Sequence, residues 1–183
     1  MQDELQTFLE SPTAHHYRLV REALLEEAAG KLPTTVRELS DVAELSAAGE
    51  HTVVLERVDE LMPWWSLSPR IHFYAALAAD ELGEIETAEL ERFVFQSCLE
   101  GLLATGEGTA ESPYLITYPS DALDVLTALG LEARSQSLVD RDGLLCDVVT
   151  CAAGEEVWFE VASLIDDPRQ HQVEFAVLQG FRR

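Results

Sequence analysis

Basic residues are scarce in this 183-residue chain: 12 lysines and arginines stand against 34 aspartates and glutamates, for a formal charge of −22. The deficit is general, with 20 acidic and 7 basic residues from Met1 to Ala104 and 14 and 5 from Thr105 onward. Such a field repels phosphate backbones, whose binding needs clustered Lys and Arg, so DNA and RNA are excluded as direct ligands. It attracts a basic protein or peptide, unless the acidity serves solubility alone. Cysteine is also sparse: Cys98, Cys146 and Cys151 are odd in number and lack metal-type spacing. They read as buried, reduced thiols of a cytoplasmic protein rather than as a disulfide framework or zinc site. No uncharged apolar run approaches the roughly 18 residues of a membrane span. The N-terminus, Met1-Gln2-Asp3-Glu4-Leu5, lacks the basic segment and apolar run of an export signal.

Further absences bear on chemistry. Gly106-Glu107-Gly108-Thr109 has the glycines of a phosphate loop but carries a carboxylate inside the turn and no following lysine, so it reads as a hinge. His15, His16, His51, His72 and His171 are scattered, away from cysteines or paired carboxylates at ligand spacing. No metal, nucleotide or other cofactor is therefore expected. With 34 acidic residues, carboxylate pairs arise by chance and argue for no acid–base mechanism.

What is present is a folded chain, 47% hydrophobic and 25% charged. Tyr17, Val20, Ala23, Leu24 and Ala28 recur at helical spacing between Thr13 and Ala29, before Gly30 and Pro33. A second helix is expected from a Thr34 or Thr35 cap, with Glu38 answering it, to Gly49. A third carries Val54, Leu55, Val58 and Leu61 and is predicted to stop at Pro63. A fourth, capped by Ser68 with Pro69 in its first turn, buries Ile71, Tyr74, Ala75, Ala78 and Leu82. A fifth runs from about Thr87 to Leu103 with Leu90, Val94, Cys98 and Leu102 inward. Gly49-Glu50 and Gly83-Glu84 lie 34 positions apart, each between two amphipathic segments. That is the period of tetratricopeptide helix pairs, which Leu45–Leu61 and Ile71–Leu99 resemble, although Pro63 comes early for the second helix of a pair.

Composition changes at Gly106. Tyr114–Tyr118 reads as a strand, Ser120 as the cap of a helix through Leu123, Leu126 and Leu129, and Gly130 as its stop. Glu132–Asp140, Leu144–Cys151 and Glu155–Val161, joined by glycine-bearing turns, read as an antiparallel meander. Gln170–Leu178 alternates like a further strand. The expected fold class is α+β: antiparallel helical pairs over residues 1–104, then a small, mostly antiparallel sheet with one flanking helix over 105–183.

Gly106-Glu107-Gly108-Thr109 leading to Pro113-Tyr114, with Leu129-Gly130, Ser135-Gln136-Ser137-Leu138 and Asp147-Val148, resembles the C-terminal module of a bacterial family of unknown function. A helical segment bearing a His-aromatic pair, here His72-Phe73, precedes that module. The resemblance covers roughly residues 70 to 161 and implies a fold, not an activity.

Three residues stand out as binding candidates. Trp64 and Trp65 fall after Pro63 in an expected link between helix pairs, either as interface anchors or as a plug between the two halves. His72 is either a ligand contact or a hydrogen-bonded core histidine. The reading that follows is a non-enzymatic protein- or peptide-binding scaffold with a basic partner. One alternative is a small hydrolase or transferase using His72 with Ser135, Ser137 or Asp147 in a cleft between the halves. Another is a structural oligomeric subunit that buries Trp64 and Trp65.

Overall fold

The computed structural model describes residues 1–28, 32 and 37–161. The proposed Thr34 or Thr35 cap, the Gly30 and Pro33 stops and the Gln170–Leu178 segment lie outside the described residues. Seven helices and four strands occur among the described residues, giving the α+β layout expected from the sequence.

The chain opens with a helix that the sequence periodicity does not announce, α1 (Gln2–Glu10), whose Phe8 is buried. Pro12 separates it from α2 (Ala14–Glu27), where the Thr13 hydroxyl accepts the His16 amide. Four antiparallel helices follow: α3 (Arg37–Ala47), α4 (His51–Trp65), α5 (Pro69–Glu81) and α6 (Ile85–Ala104). Their two turns are the same turn. At the first, the Gly49 amide donates to Ser46 O and the Glu50 amide to Leu45 O; at the second, Gly83 donates to Asp80 O and Glu84 to Ala79 O. Each pair of bonds reappears 34 residues on, in the arrangement that satisfies the last carbonyls of a helix. Both glycines hold left-handed φ, +77° and +76°. Gly49→Ala and Gly83→Ala are each expected to cost about 1–2 kcal/mol in urea denaturation through backbone strain. No side-chain clash enters, since a Cβ at Gly83 meets nothing within 4 Å and one at Gly49 only His51 Nε2 at 4.0 Å. Costs differing by more than about 1 kcal/mol would mean that the two turns are not equivalent.

Pro63 does not end α4, contrary to the sequence reading. The helix runs two residues beyond it, carrying Trp65 into the core, and the link to α5 is only Ser66-Leu67-Ser68. Proline in a helix interior removes one hydrogen bond. The burial of Trp65 and Leu67 offsets that loss. Two residues expected inward, Leu82 and Leu90, are exposed instead.

The remaining elements are β1 (Tyr114–Leu115), α7 (Asp121–Ala128), β2 (Ala133–Arg141), β3 (Leu144–Cys151) and β4 (Glu156–Glu160). The sheet order is β1-β4-β3-β2, with the β2–β3 and β3–β4 pairs antiparallel and β1 parallel to β4. The strand expected over Tyr114–Tyr118 extends only to Leu115: the Ile116 amide still reaches Glu160 O of β4 at 3.5 Å, but the two amides after it turn elsewhere. Thr117 N and Tyr118 N donate to Asp121 Oδ2 at 2.8 and 2.9 Å. Ser120 stands at the cap position of α7 as expected, without a side-chain bond to the helix amides. One hydrophobic cluster joins Phe8, Tyr17, Trp65 and Cys98 of the helices to Tyr118, Leu126, Val149 and Phe159. All three cysteines are free and buried.

Candidate functional site

The three candidates from the sequence take three different positions. Trp65 is fully buried, its indole stacked on Tyr118 with ring centroids 4.8 Å apart and planes at 21°. It plugs the junction between α4 and the segment before α7. Trp64, its neighbour, is 45% exposed. His72 is a core histidine: Nε2–H donates to Ser66 O at 3.0 Å, and Nδ1 lies 2.6 Å from Glu91 Oε2. Both ring nitrogens are thereby engaged. Ser135 and Ser137 are exposed on β2, and Asp147 accepts from Gln136 Nε2 at 2.6 Å. The two hydrogen bonds of His72 go to Ser66 and Glu91, not to these residues. The Gly106–Thr109 turn spends its amides internally, Glu107 N and Thr109 N both donating to Ser112 O.

A buried polar cluster lies where helices meet sheet. Tyr17 Oη and Thr117 Oγ1 are 2.7 Å apart, and Arg21 donates to Ile116 O at 3.2 Å. Asp121 is fully buried; desolvation pushes its carboxyl up to about 8 against the two amide bonds and Arg21, which favour the charged form. Asp124, paired with Arg70, is pushed up to about 6 by the same burial. Burial also raises the Tyr17 and Tyr118 hydroxyls and the Cys98 thiol. A perturbed carboxylate marks an active site when a cleft gives substrate access to it. Here Asp121 has no accessible surface, so the cluster fixes structure. Among the described residues no group of three or more His, Cys, Asp or Glu is placed to hold a metal ion, and no helix is long and apolar enough to cross a membrane.

The most unusual surface lies on α5 and α6. Phe73, Leu77 and Leu82 are exposed at the end of one hairpin arm, and Ile85, Leu90 and Phe93 at the start of the other, the last three at 66%, 58% and 51%. Phe73 packs against Phe95, with centroids 6.2 Å apart, on the side of α6 away from Leu90 and Phe93. Acidic side chains surround these groups: Asp80, Glu81, Glu84, Glu86 and Glu89, with Arg92 held by Asp80 at 2.6 Å. Scattered exposed apolar residues are ordinary, whereas a grouped set marks an interaction surface.

The same face of α6 is already a helix-docking surface further along. Leu90, Val94, Ser97 and Gly101 follow one another at the spacing of a single helix face. At Gly101 a Cβ would meet Phe8 Cε2 at 2.5 Å and Tyr17 Cδ2 at 2.8 Å, so α1 and α2 sit directly on the backbone there. Cover persists through buried Ser97, thins at half-buried Val94 and is gone at Leu90. Sequence reasoning misses this by assigning one inner edge to each helix. The available signal is that the apolar residues of α6 exceed one stripe, with Leu90, Phe93, Val94, Cys98 and Leu102 spread over more than one face.

No protein-family model matches this chain, and no curated protein or solved structure is significantly similar to it.

Proposed function

We propose that this protein is a non-enzymatic protein- or peptide-binding module whose docking surface is the outward side of the α5–α6 pair. One observation carries the reading: Leu90 and Phe93, two large apolar side chains of the helix whose Ser97, Cys98, Gly101 and Leu102 are buried, stand in solvent on the side that binds α1 and α2 further along. The 34-residue recurrence of the turns supports a tetratricopeptide-like scaffold, in which stacked helix pairs leave one side free for a partner. The acidic field then contributes steering, drawing basic partners in faster than neutral ones.

Selection of a displayed peptide library on the wild-type protein tests this reading. Ligands are expected to lose at least about tenfold in affinity when Leu90 and Phe93 are both changed to Asp, the effect of removing two interface anchors. Trp64→Ala, on another helix, is expected to leave them unchanged. Ligands indifferent to the double change would remove the basis for this surface. Retention of the wild-type far-ultraviolet spectrum and melting temperature is the control for folding.

A further inference from the structure

We infer that the occupant of the α6 surface is a cationic amphipathic helix that continues the stacking of α1 and α2 along the same face; this rests on the binding reading above and names its partner class. Three features of the surface converge on that occupant.

The first is shape. The α6 helix already accepts helices on this face, and it does so through aromatic knobs, Phe8 of α1 and Tyr17 of α2, which fill the space that Gly101 leaves open. Phe8 and Tyr17 themselves meet edge to face, with centroids 5.7 Å apart. The uncovered stretch from Ile85 to Val94 is about 14 Å long at the rise of an α-helix, room for between two and three turns of a partner helix. An extended strand would leave its backbone groups unpaired here, because a helix face offers no ladder to complete them. A helix satisfies its own.

The second is apolar pattern. Ile85, Glu89 and Phe93 form one row at spacing of four, and Glu86, Leu90 and Val94 form the next, so apolar and acidic positions alternate across the face. A partner helix with apolar residues at i, i+3, i+4 and i+7 sets that stripe against Leu90 and Phe93.

The third is charge. The acidic groups of α6 nearest the stripe are Glu86 and Glu89, with Glu84 at the start of the helix, and Arg92, the one basic residue of α6, is already paired with Asp80. Lysine or arginine beside the apolar stripe of the partner meets these carboxylates; glutamate there meets like charge.

The test uses the full chain and a synthetic helix of about 18 residues, long enough to form on docking, with leucine at i, i+3, i+4 and i+7 and lysine elsewhere. Its counterpart carries glutamate for lysine. Binding is read by fluorescence anisotropy, and helix formation by circular dichroism. The Leu/Lys peptide is expected to bind and become helical, the Leu/Glu peptide to bind at least about tenfold more weakly, and salt raised from about 0.05 to 0.3 M to weaken the former several-fold.

General attraction to an acidic protein is separated from docking by Leu90→Asp with Phe93→Asp. That variant is two charges more negative, so unspecific attraction would strengthen, whereas docking is expected to fall at least about tenfold. Gain or no change on that substitution overturns the inference. Equal binding of the two peptides overturns it as well. Failure of the inference leaves a separate mark from failure of the binding reading: library ligands that depend on Leu90 and Phe93 but are extended or acidic would keep the surface and discard the cationic helix.

Discussion

Trp65→Ala is expected to destabilise the protein by about 3–5 kcal/mol, the usual cost of removing a large aromatic from a packed core. Trp64→Ala, one position away, should stay within about 1 kcal/mol. The contrast follows from the helical phase at the end of α4. Trp65 is fully buried and stacked on Tyr118, whereas Trp64 is nearly half exposed. Loss of the indole opens a cavity beneath Tyr118, whose backbone amide belongs to the turn that Asp121 holds closed. Trp65→Phe should recover part of the loss, because the ring contact survives. The indole Nε1 has no hydrogen-bond partner among the described residues, so its removal forfeits no bond. Urea denaturation of the three variants, read by circular dichroism, measures these differences. Comparable costs at positions 64 and 65 would contradict the assignment of Trp65 as the plug of the junction.

Raising the pH from about 5 to 9 is expected to weaken the wild-type fold relative to Asp121→Asn by on the order of a few kcal/mol, since a tenfold difference in proton affinity between folded and unfolded chain is worth about 1.4 kcal/mol. Burial raises Asp121 from 3.8 to about 8 and Asp124 from 3.8 to about 6. A carboxyl raised in the folded state binds its proton more tightly there than in the unfolded chain. Its contribution is therefore fully present below the unfolded value and is lost as pH rises through about 6 and then about 8. Asparagine keeps an oxygen for the Thr117 and Tyr118 amides and cannot ionise, so the variant lacks the Asp121 part of this slope. Asp121→Ala differs in kind: it leaves two buried amides without their acceptor and should be destabilising at every pH, by about 1–3 kcal/mol per amide. A gap between wild type and Asp121→Asn that stays constant across this range would show that the carboxylate is as comfortable in the fold as in water.

Much of the helical architecture is legible in the sequence because the signals that encode it are local. Gly49 and Gly83 mark their turns through a backbone conformation that glycine adopts without strain, and Ser68-Pro69 marks the start of α5 through a missing amide donor. The meander is legible through turns at Gly143 and Gly154, both with positive φ. Expectations fail where distant residues decide the outcome. Pro63 is a local stop signal, yet Trp65 needs the helix to continue so that it can reach Tyr118, which lies 53 positions on. Ser120 does occupy the cap position of α7, but its hydroxyl accepts no amide there, and it is Asp121 that closes the preceding turn by accepting Thr117 N and Tyr118 N. Trp64, Trp65 and His72 stand out in the sequence by rarity. Rarity does not separate the exposed indole from the buried one. Leu90 reads as inward because its spacing to Val94 is correct; only the place where α1 and α2 stop covering α6 reveals that the stripe runs out into solvent.

Methyl resonances of isoleucine and leucine, followed while the Leu/Lys peptide is added to the 183-residue chain, test the binding surface most directly. Ile85 and Leu90 are exposed, whereas Leu24, Ile71 and Ile116 are buried in the core. Docking on the outward side of the α5–α6 pair predicts saturable shifts at Ile85 and Leu90, smaller ones at Leu77 and Leu82, and none at Ile71 or Ile116. Shifts centred on the sheet residues Leu138 and Leu145, or spread evenly over the protein while Ile85 and Leu90 stay still, would contradict it.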